Sequence, residues 1–552
     1  MNTKLEDRVK EILALHSSAE QKRLSIWDSF HRDVRDYIRP RRTRPEEVGS
    51  SLIQPTWYDG TASQSSRILS NFFQSALIPQ SVQWFGYTIP MGHPLFHLNE
   101  SPATKDWLNT MAQLHFTALA NSNFYGEAGA AFDDLTSYST SGLFTDRIQN
   151  QNGSFSLNFE AMAVEHFSFI EGQGGAPKIV FQPRNMTTLG LMEEYSLERL
   201  PDKIQKMINE KKFNDRHNII RAVFPRTVFE TDAGNRAMPF ASMDILVEGK
   251  HALRESGFEE FPYAIARFDK QPSEQYGRGL SFIAMPEIKS GNFTREIFLE
   301  TIEKFGRPPI ITSDEGALKD FDLSGGTISY STDPSKVVPL KLAFDFKAAL
   351  AGMQDTKQQI REIFGSDKIF LPNKPNMTAE EVMTLRNQAN DLFGPNVGRF
   401  EGEGLRLPLF RSLNIMARAG ALPPPPDEAR ELDVIDIEFV GQLAQAQKKR
   451  SVDAFDTLAT KLIGVVKETG KRELLELINW EDEFRDQATK TGVNSKSLKS
   501  PDEYKEVIDQ LAQAQAQQDQ EDTQLQESEA IRNVTPAAKL AQEQEQGAGL
   551  PN

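Results

Sequence analysis

Between Leu280 and Phe305 the apolar residues Leu280, Ile283, Ile288, Phe293, Ile297, Ile302 and Phe305 recur at three-to-five spacings, the mark of an amphipathic helix. The turn Tyr276-Gly-Arg-Gly279 launches this run, and Gly306-Arg-Pro-Pro309 ends it. At 1.5 Å per residue the helix spans roughly 39 Å, long for one element of a compact domain. The pattern predicts one buried stripe on an otherwise polar rod, and a rod that packs against copies of itself. A module punctuated by Gly and Pro follows over 306–342, with strand-like Ile310-Ile311, Thr327 to Tyr330 and Val337-Val338. A second helix then returns over 344–364. Two helices flanking a small module present that module at the tip of a hairpin, where it is placed for docking.

Elsewhere the periodicity predicts an α+β chain that is mostly helical. Leu5, Val9, Ile12, Leu13, Leu24, Trp27, Val34 and Ile38 follow a helical repeat over residues 1–40. A second helix carries Ile68, Leu69, Phe72, Phe73 and Leu77 and stops at Pro79, and Trp84 to Ile89 alternates like a strand. Helix resumes over 101–137, broken near Asn121 to Asn123. Short strands dominate 143–187, with strict alternation across Phe155 to Phe159. Leu200-Pro-Asp opens a short helix, and strands are expected over 219–229, 241–247 and 263–268. Beyond the returning helix, Gly365 to Asn376 is a loop with two prolines, and Thr378-Ala-Glu-Glu381 has the form of a capping box. Helix continues with breaks to Ala419, Pro423 to Pro426 is a stiff spacer, and two more helices are expected between 438 and 487. From about residue 500 glutamines crowd the chain and no basic residue falls between Lys505 and Arg532, which reads either as a weak polar helical seam or as a solvated tail.

Composition narrows the classes. With 552 residues the chain exceeds a single core. Cysteine is absent, so there is no disulfide, thiolate metal site or cysteine nucleophile. No uninterrupted run of about eighteen apolar residues occurs, so no membrane span is expected. A net charge of −16 argues against gripping nucleic acid over most of the surface, but not against letting it slide past. No Gly-x-x-x-x-Gly-Lys-Ser/Thr loop exists, so any ATP-driven step belongs to another protein. His93 and His97 are four apart, but Pro90 and Pro94 disfavour the helix that a metal pair there would need. The acidic pairs Asp133-Asp134 and Glu380-Glu381 read as solvated faces or caps, and Arg39, Arg41, Arg42 and Arg44 as a solvated basic loop. No catalytic residue, metal site or cofactor is expected.

Three ordered motifs carry a resemblance. Asp59-Gly-Thr-Ala precedes Ile68-Leu-Ser-Asn-Phe-Phe and Trp84-Phe85. Pro262-Tyr-Ala-Ile-Ala-Arg267 leads to Tyr276-Gly-Arg278 and the long helix. Met377-Thr-Ala-Glu-Glu-Val382 opens the later helix. In this order and spacing, over about residues 20–420, the chain resembles the head-to-tail connecting (portal) proteins of short-tailed phages.

The resemblance implies a closed homo-oligomeric ring, typically of twelve subunits, at one capsid vertex. Residues 1–272 would be a wing, 273–305 a stem helix, 306–343 a clip and 344–365 the returning stem helix. A tunnel loop would occupy 366–377, a wing or crown helix 378–422, crown helices 423–499, and a polar helix, barrel or tail 500–552. Tyr276, Gly277, Arg278 and Gly279 would form a structural turn at the stem base, with Arg278 paired to a carboxylate or carbonyls. Ile283, Ile288, Phe293, Ile297, Ile302 and Phe305 would form the stem interface. Lys368, Asn373, Lys374 and Asn376 are candidates for DNA contact in the tunnel loop. Arg307, Ile310, Ile311, Asp314 and Tyr330 would dock partners on the clip. Expected partners are double-stranded DNA in the channel, the major capsid and scaffolding proteins, the terminase large subunit, and tail or adaptor proteins, with no membrane. Two alternatives stay open: another virion structural part such as a tail adaptor, and an enzyme of nucleic-acid metabolism.

Overall fold

The computed structural model describes residues 2–40, 57–149, 155–228, 238–306, 310–312, 337–339, 344–369, 392–432, 434–440 and 442–471, with short runs between 475 and 517. The chain divides into two units, Met1–Leu443 and Ala444–Asn552.

In the first unit, α1 (Asn2–Tyr37) is followed by α2 (Thr61–Leu77), β1 (Phe85–Thr88), α3 (Pro102–Ala120) and α4 (Phe124–Tyr138). Four strands come next: β2 (Thr140–Gln149), β3 (Phe155–Met162), β4 (Ser168–Glu171) and β5 (Pro177–Thr187). Two short helices, α5 (Thr188–Glu194) and α6 (Asp202–Asn209), precede β6 (Arg216–Pro225), β7 (Phe240–Leu246), β8 (His251–Phe258) and β9 (Tyr263–Arg267). The long α7 (Leu280–Gly306) then leads to β10 (Ile310–Thr312), β11 (Val337–Pro339), α8 (Phe346–Ile363) and the single turn α9 (Ser366–Ile369). Helical residues 392–400 (α10) run through a π-helical turn at Glu401–Leu405 into α11 (Arg406–Arg418), and β12 (Asp436–Phe439) follows.

Two sheets frame the body. One has three antiparallel strands in the order β3-β2-β9, and the other has five in the order β4-β5-β6-β7-β8. α1 spans two cores. Its N-terminal half places Val9, Ile12 and Ala19 on the face of the five-stranded sheet that carries Phe181, Ala222, Phe224 and Met243. Its C-terminal half places Trp27, Phe30, Val34 and Ile38 in the main core with α2, α3, α4, the three-stranded sheet and the foot of α7. α5 and α6 close the opposite face of the large sheet through Leu191, Ile204, Ile219 and Leu253.

The expected helix break at 121–123 separates α3 from α4, and the expected strand at Trp84 to Ile89 is β1. Its partner lies far along the chain: Phe85 pairs with Phe439 and Tyr87 with Ile437. The strand β12 was not expected there; 438–487 reads as two helices in the sequence, whereas a strand comes first. Trp84 is fully buried, stacked between Phe124 and Phe439 with its indole N–H on the Tyr125 hydroxyl (3.2 Å). β8, which runs through the weakly alternating His251 to Phe258, and α5 were also missed, because their apolar positions are too few to give a period.

The second unit contains most of α12 (Gln442–Thr469), with Phe455 edge-on to Trp480 at 6.0 Å. Among the described residues no helix is long and apolar enough to cross a membrane.

Candidate assembly interface and the turn that carries it

The turn before α7 is anchored by the last residue of β9. Arg267 is buried, and it donates to Glu403 from its backbone N–H (3.0 Å), Nε (3.1 Å) and Nη2 (2.8 Å). Glu171 pairs with the same guanidinium, and the Gly175 carbonyl accepts from Nη2 (3.1 Å). One cation therefore ties β9 to β4 and to the π-helical turn, where a buried charge persists because it is matched on several sides.

The chain then reverses over Ser139, which adopts a left-handed conformation (φ 64°) at the end of α4. The Arg278 N–H donates to the Asp269 carbonyl (2.8 Å) and the Gly277 N–H to Thr140 Oγ1 (2.8 Å). A Cβ at Gly277 would overlap the Ser139 carbonyl oxygen, and one at Gly279 the Ser139 hydroxyl. Both glycines are thus required by close approach. Tyr276 is buried edge-on to Phe169 at 5.0 Å, and Arg278 pairs with Glu274 (Nε to Oε2, 2.7 Å) while lying over Phe282.

From this base α7 and α8 run antiparallel: Gly291 faces Thr356 near the base, and Phe298 and Phe305 face Phe346 near the tip, at 6.0 and 4.8 Å between rings. Asp345 caps α8 by accepting from Lys347 N–H (2.9 Å) and Ala348 N–H (3.1 Å). The Asp59-Gly-Thr-Ala segment locks α2 onto the same pair. Asn292 of α7 accepts from the N–H groups of Tyr58 (2.7 Å) and Asp59 (3.2 Å), and Asp59 caps α2 through Thr61 N–H (2.8 Å) and faces Lys357 of α8 at 3.4 Å. Burial pushes the Asp59 carboxyl up, but the hydrogen bonds from Thr61 and the nearby Lys357 together hold it below its ordinary value.

Within one chain the bulky stripe of α7 is largely exposed, apart from Ile288. The side facing the body is made of Ser281, Ala284, Met285, Ile288, Gly291, Asn292 and Phe298. Small residues there let α8, α1 and α4 approach closely, and most of the large apolar residues turn outward. Relative exposures are 62% for Ile283, 61% for Phe293, 40% for Ile297, 45% for Ile302 and 44% for Phe305. At about 100° per residue, Ile283, Phe293, Ile297 and Phe305 fall within roughly a third of the helix circumference. Ile288 does not belong with them: at 4% exposure it sits in the main core, on the arc that faces α8. Pro286 lies inside α7, where it withholds one backbone donor from the Phe282 carbonyl.

The other sequence candidates are placed as follows. Ile310 and Ile311 lie in β10, paired with Pro339 and Val338 of β11. Arg307, Asp314 and Tyr330 lie outside the described residues, as do Asn373, Lys374, Asn376 and the capping box at 378–381. Lys368 is described, and its place differs from the expected loop. Gly365 (φ 63°) breaks α8, and 366–369 forms a helical turn instead, pinned to α2 by a buried hydrogen bond from Ser366 Oγ to Ser65 Oγ (3.1 Å). Lys368 is half-buried on that turn. His93 accepts the Leu95 N–H through Nδ1 (3.1 Å), and Asp133 is held by Arg39 and Arg67. No group of three potential metal ligands occurs among the described residues.

Sequence reasoning missed Arg267 with Glu403 and Asn292 with Tyr58. A signal was present for the first pair: an arginine closing an otherwise apolar strand, and a glutamate between Gly402 and Gly404. A Cβ at Gly404 would press on Phe400 and Ala266, so the chain passes close to β9 there.

A long helix with small residues inward and large apolar residues outward, on a hairpin that carries a β-strand pair, defines a structural subunit built to associate. The bacteriophage head to tail connecting protein family matches this chain over residues 9–498, and the chain belongs to it. It is similar to the probable portal protein of Bordetella phage BPP-1, with 23% identity over 83% of this chain and 84% of that protein. It is also similar to the portal protein of Salmonella phage epsilon15, with 22% identity over 76% of this chain and 77% of the relative.

Proposed function

We propose that this chain is the portal subunit of a tailed phage: copies associate side by side through the outward face of α7 into a closed ring of twelve at one capsid vertex, and double-stranded DNA passes along the ring axis during packaging and ejection. The observation that carries this reading is the exposed row Ile283, Phe293 and Ile297, which packs on no element among the described residues, on a helix whose other side rests on α8 and the body. Burying such a row against a neighbour contributes about 25 cal/mol per Å², which over an obligate interface outweighs like-charge repulsion between copies that each carry −16.

On this reading residues 1–272 are the wing, α7 and α8 the stem, and 306–343 the clip, the docking platform first for the terminase large subunit and later for tail or adaptor proteins. Capsid and scaffolding proteins meet the outside of the ring. The chain acts as a virion structural protein and conduit rather than as an enzyme, and the packaging ATPase supplies the work. DNA is centred by sparse basic rings on a mostly acidic or neutral wall, since a strongly basic tunnel would bind the duplex and oppose its movement. Lys368, Asn373, Lys374 and Asn376 are the proposed contacts. With a screening length of about 8 Å at physiological salt, only charges close to the duplex act on it.

Negative-stain micrographs combined with a mass measurement test the proposal. The expected particle is a ring with a central hole and a mass of about 0.7 MDa, twelve times the 62.1 kDa chain. Isolated chains at high concentration, or particles without a hole, contradict it.

A further inference from the structure

One face of the five-stranded sheet is polar where α5 and α6 no longer cover it. Arg221 of β6, Asp244 of β7 and Arg254 of β8 stand in register across it, and Val223, Ser242 and Ser256 form the next row. The buried Asp244 accepts from Arg221 Nε (3.0 Å), Arg254 Nη2 (2.8 Å) and the Tyr195 hydroxyl (3.0 Å). Glu194 takes a further N–H from each of these arginines, at 3.2 Å, and pairs with both terminal nitrogens of Arg184 at 2.9 and 3.0 Å. Burial pushes both carboxyls up, but the surrounding guanidiniums hold them below their ordinary values. Facing this row from α11, Arg411 donates to the Thr145 carbonyl (2.7 Å) and to Glu260 (3.1 Å), and Arg418 also pairs with Glu260.

Beside these rows opens a cleft of about 390 Å³, with Arg147, Arg221, Arg254, Arg411 and Arg418 among its lining residues. Glu194, Asp244 and Glu260 are not part of that lining: they stand behind it and fix the planes of the arginines. Spare donors result. The Nη1 groups of Arg221 and Arg254 bond no acceptor among the described residues, and the exposed Arg147 pairs with none of them. Phe258 and Ile415 give the cleft an apolar wall, and Asp146 and Glu259 are the two acids that face it.

We infer that this cleft is a docking site for an acidic peptide segment of a partner protein, with carboxylates on the spare guanidinium groups and an apolar side chain against Phe258 and Ile415. Fixed guanidinium forks match carboxylates in two-point geometry, and arginine clusters are a recurring means of reading acidic motifs. The volume suits a few side chains. A nucleic-acid backbone needs an extended basic track, whereas here Glu259 and Asp146, the latter paired with Arg411 at 3.4 Å, interrupt the lining. These two acids also disfavour partners with unbroken negative charge.

The probe is a fluorescent, end-blocked pentapeptide of sequence Asp-Glu-Phe-Glu-Asp, titrated by anisotropy against the full-length assembled protein. Saturable binding is expected, weakened at least about tenfold by Arg147→Glu combined with Ser256→Asp. Both positions are exposed, so the melting temperature and particle mass are expected to stay unchanged. Absent binding, or equal affinity in the variant, overturns the inference. Binding of a short DNA duplex that depends on these two residues, with no peptide binding, assigns the cleft to nucleic acid and also overturns it. Loss of assembly in the variant shows that a neighbouring copy fills the cleft and overturns it as well.

Discussion

The body of the chain and the α7–α8 hairpin use apolar residues in opposite ways. In the body, Trp84, Phe124, Phe132, Phe159 and Tyr263 are fully buried, and even a cation as central as Arg267 is enclosed by partners. On the hairpin, small residues face inward and Ile283, Phe293 and Ile297 face out. The body therefore buries most of its large aromatic residues within one chain, and the hairpin leaves a row of apolar side chains that no described residue covers. On the proposed reading, folding and assembly rest on different residues and are separable by mutation.

The largest expected effect breaks assembly and spares the fold. Phe293→Asp with Ile297→Asp places charge where a neighbour is expected, so the ring is lost while the monomer keeps its melting temperature within a few degrees; mass photometry and thermal melts read the two separately. Trp84→Ala does the reverse, costing about 4 kcal/mol in chemical denaturation because it empties a fully packed aromatic site. Arg267→Met removes the buried cation shared by Glu403 and Glu171, leaving Glu171 only Lys270 and Glu403 only the distant Arg399, and costs about 3 kcal/mol. Gly277→Ala forces the turn off Ser139 and costs about 2 kcal/mol, with the base of α7 losing hydrogen-exchange protection first.

The smallest effect depends on pH. Burial lifts the Glu401 carboxyl to about 6, with Arg406 opposing. Its folded value lies above the unfolded one, so ionisation destabilises the fold above about pH 6, and the penalty vanishes as pH falls toward the ordinary 4.5. Glu401→Gln is therefore expected to stabilise at pH 7.5 by about 1 kcal/mol, a figure reduced for partial exposure, and to leave stability at pH 4 unchanged.

Long periodic elements were legible in the sequence. α7 runs over Leu280–Gly306 where 280–305 was expected, and α8 over Phe346–Ile363 where 344–364 was expected. Periodicity found the rod but did not separate its two faces: Ile288 packs inward with small residues such as Ala284 and Gly291, which close helix packing selects and a ranking by hydrophobicity passes over. The pairing of β1 with β12 was illegible, since no local pattern links Phe85 to Phe439. The Arg267–Glu403 clamp was partly legible. A strand-terminal arginine marks a buried cation, but only the fold shows which carboxylate meets it.

The outward face of α7 as the surface between subunits is tested most directly by the reactivity of one introduced thiol. The chain has no cysteine, so Phe293→Cys supplies a single reporter. Maleimide modification is expected to be at least about tenfold slower in the assembled particle than in dissociated chains. Equal rates in the two states contradict the account.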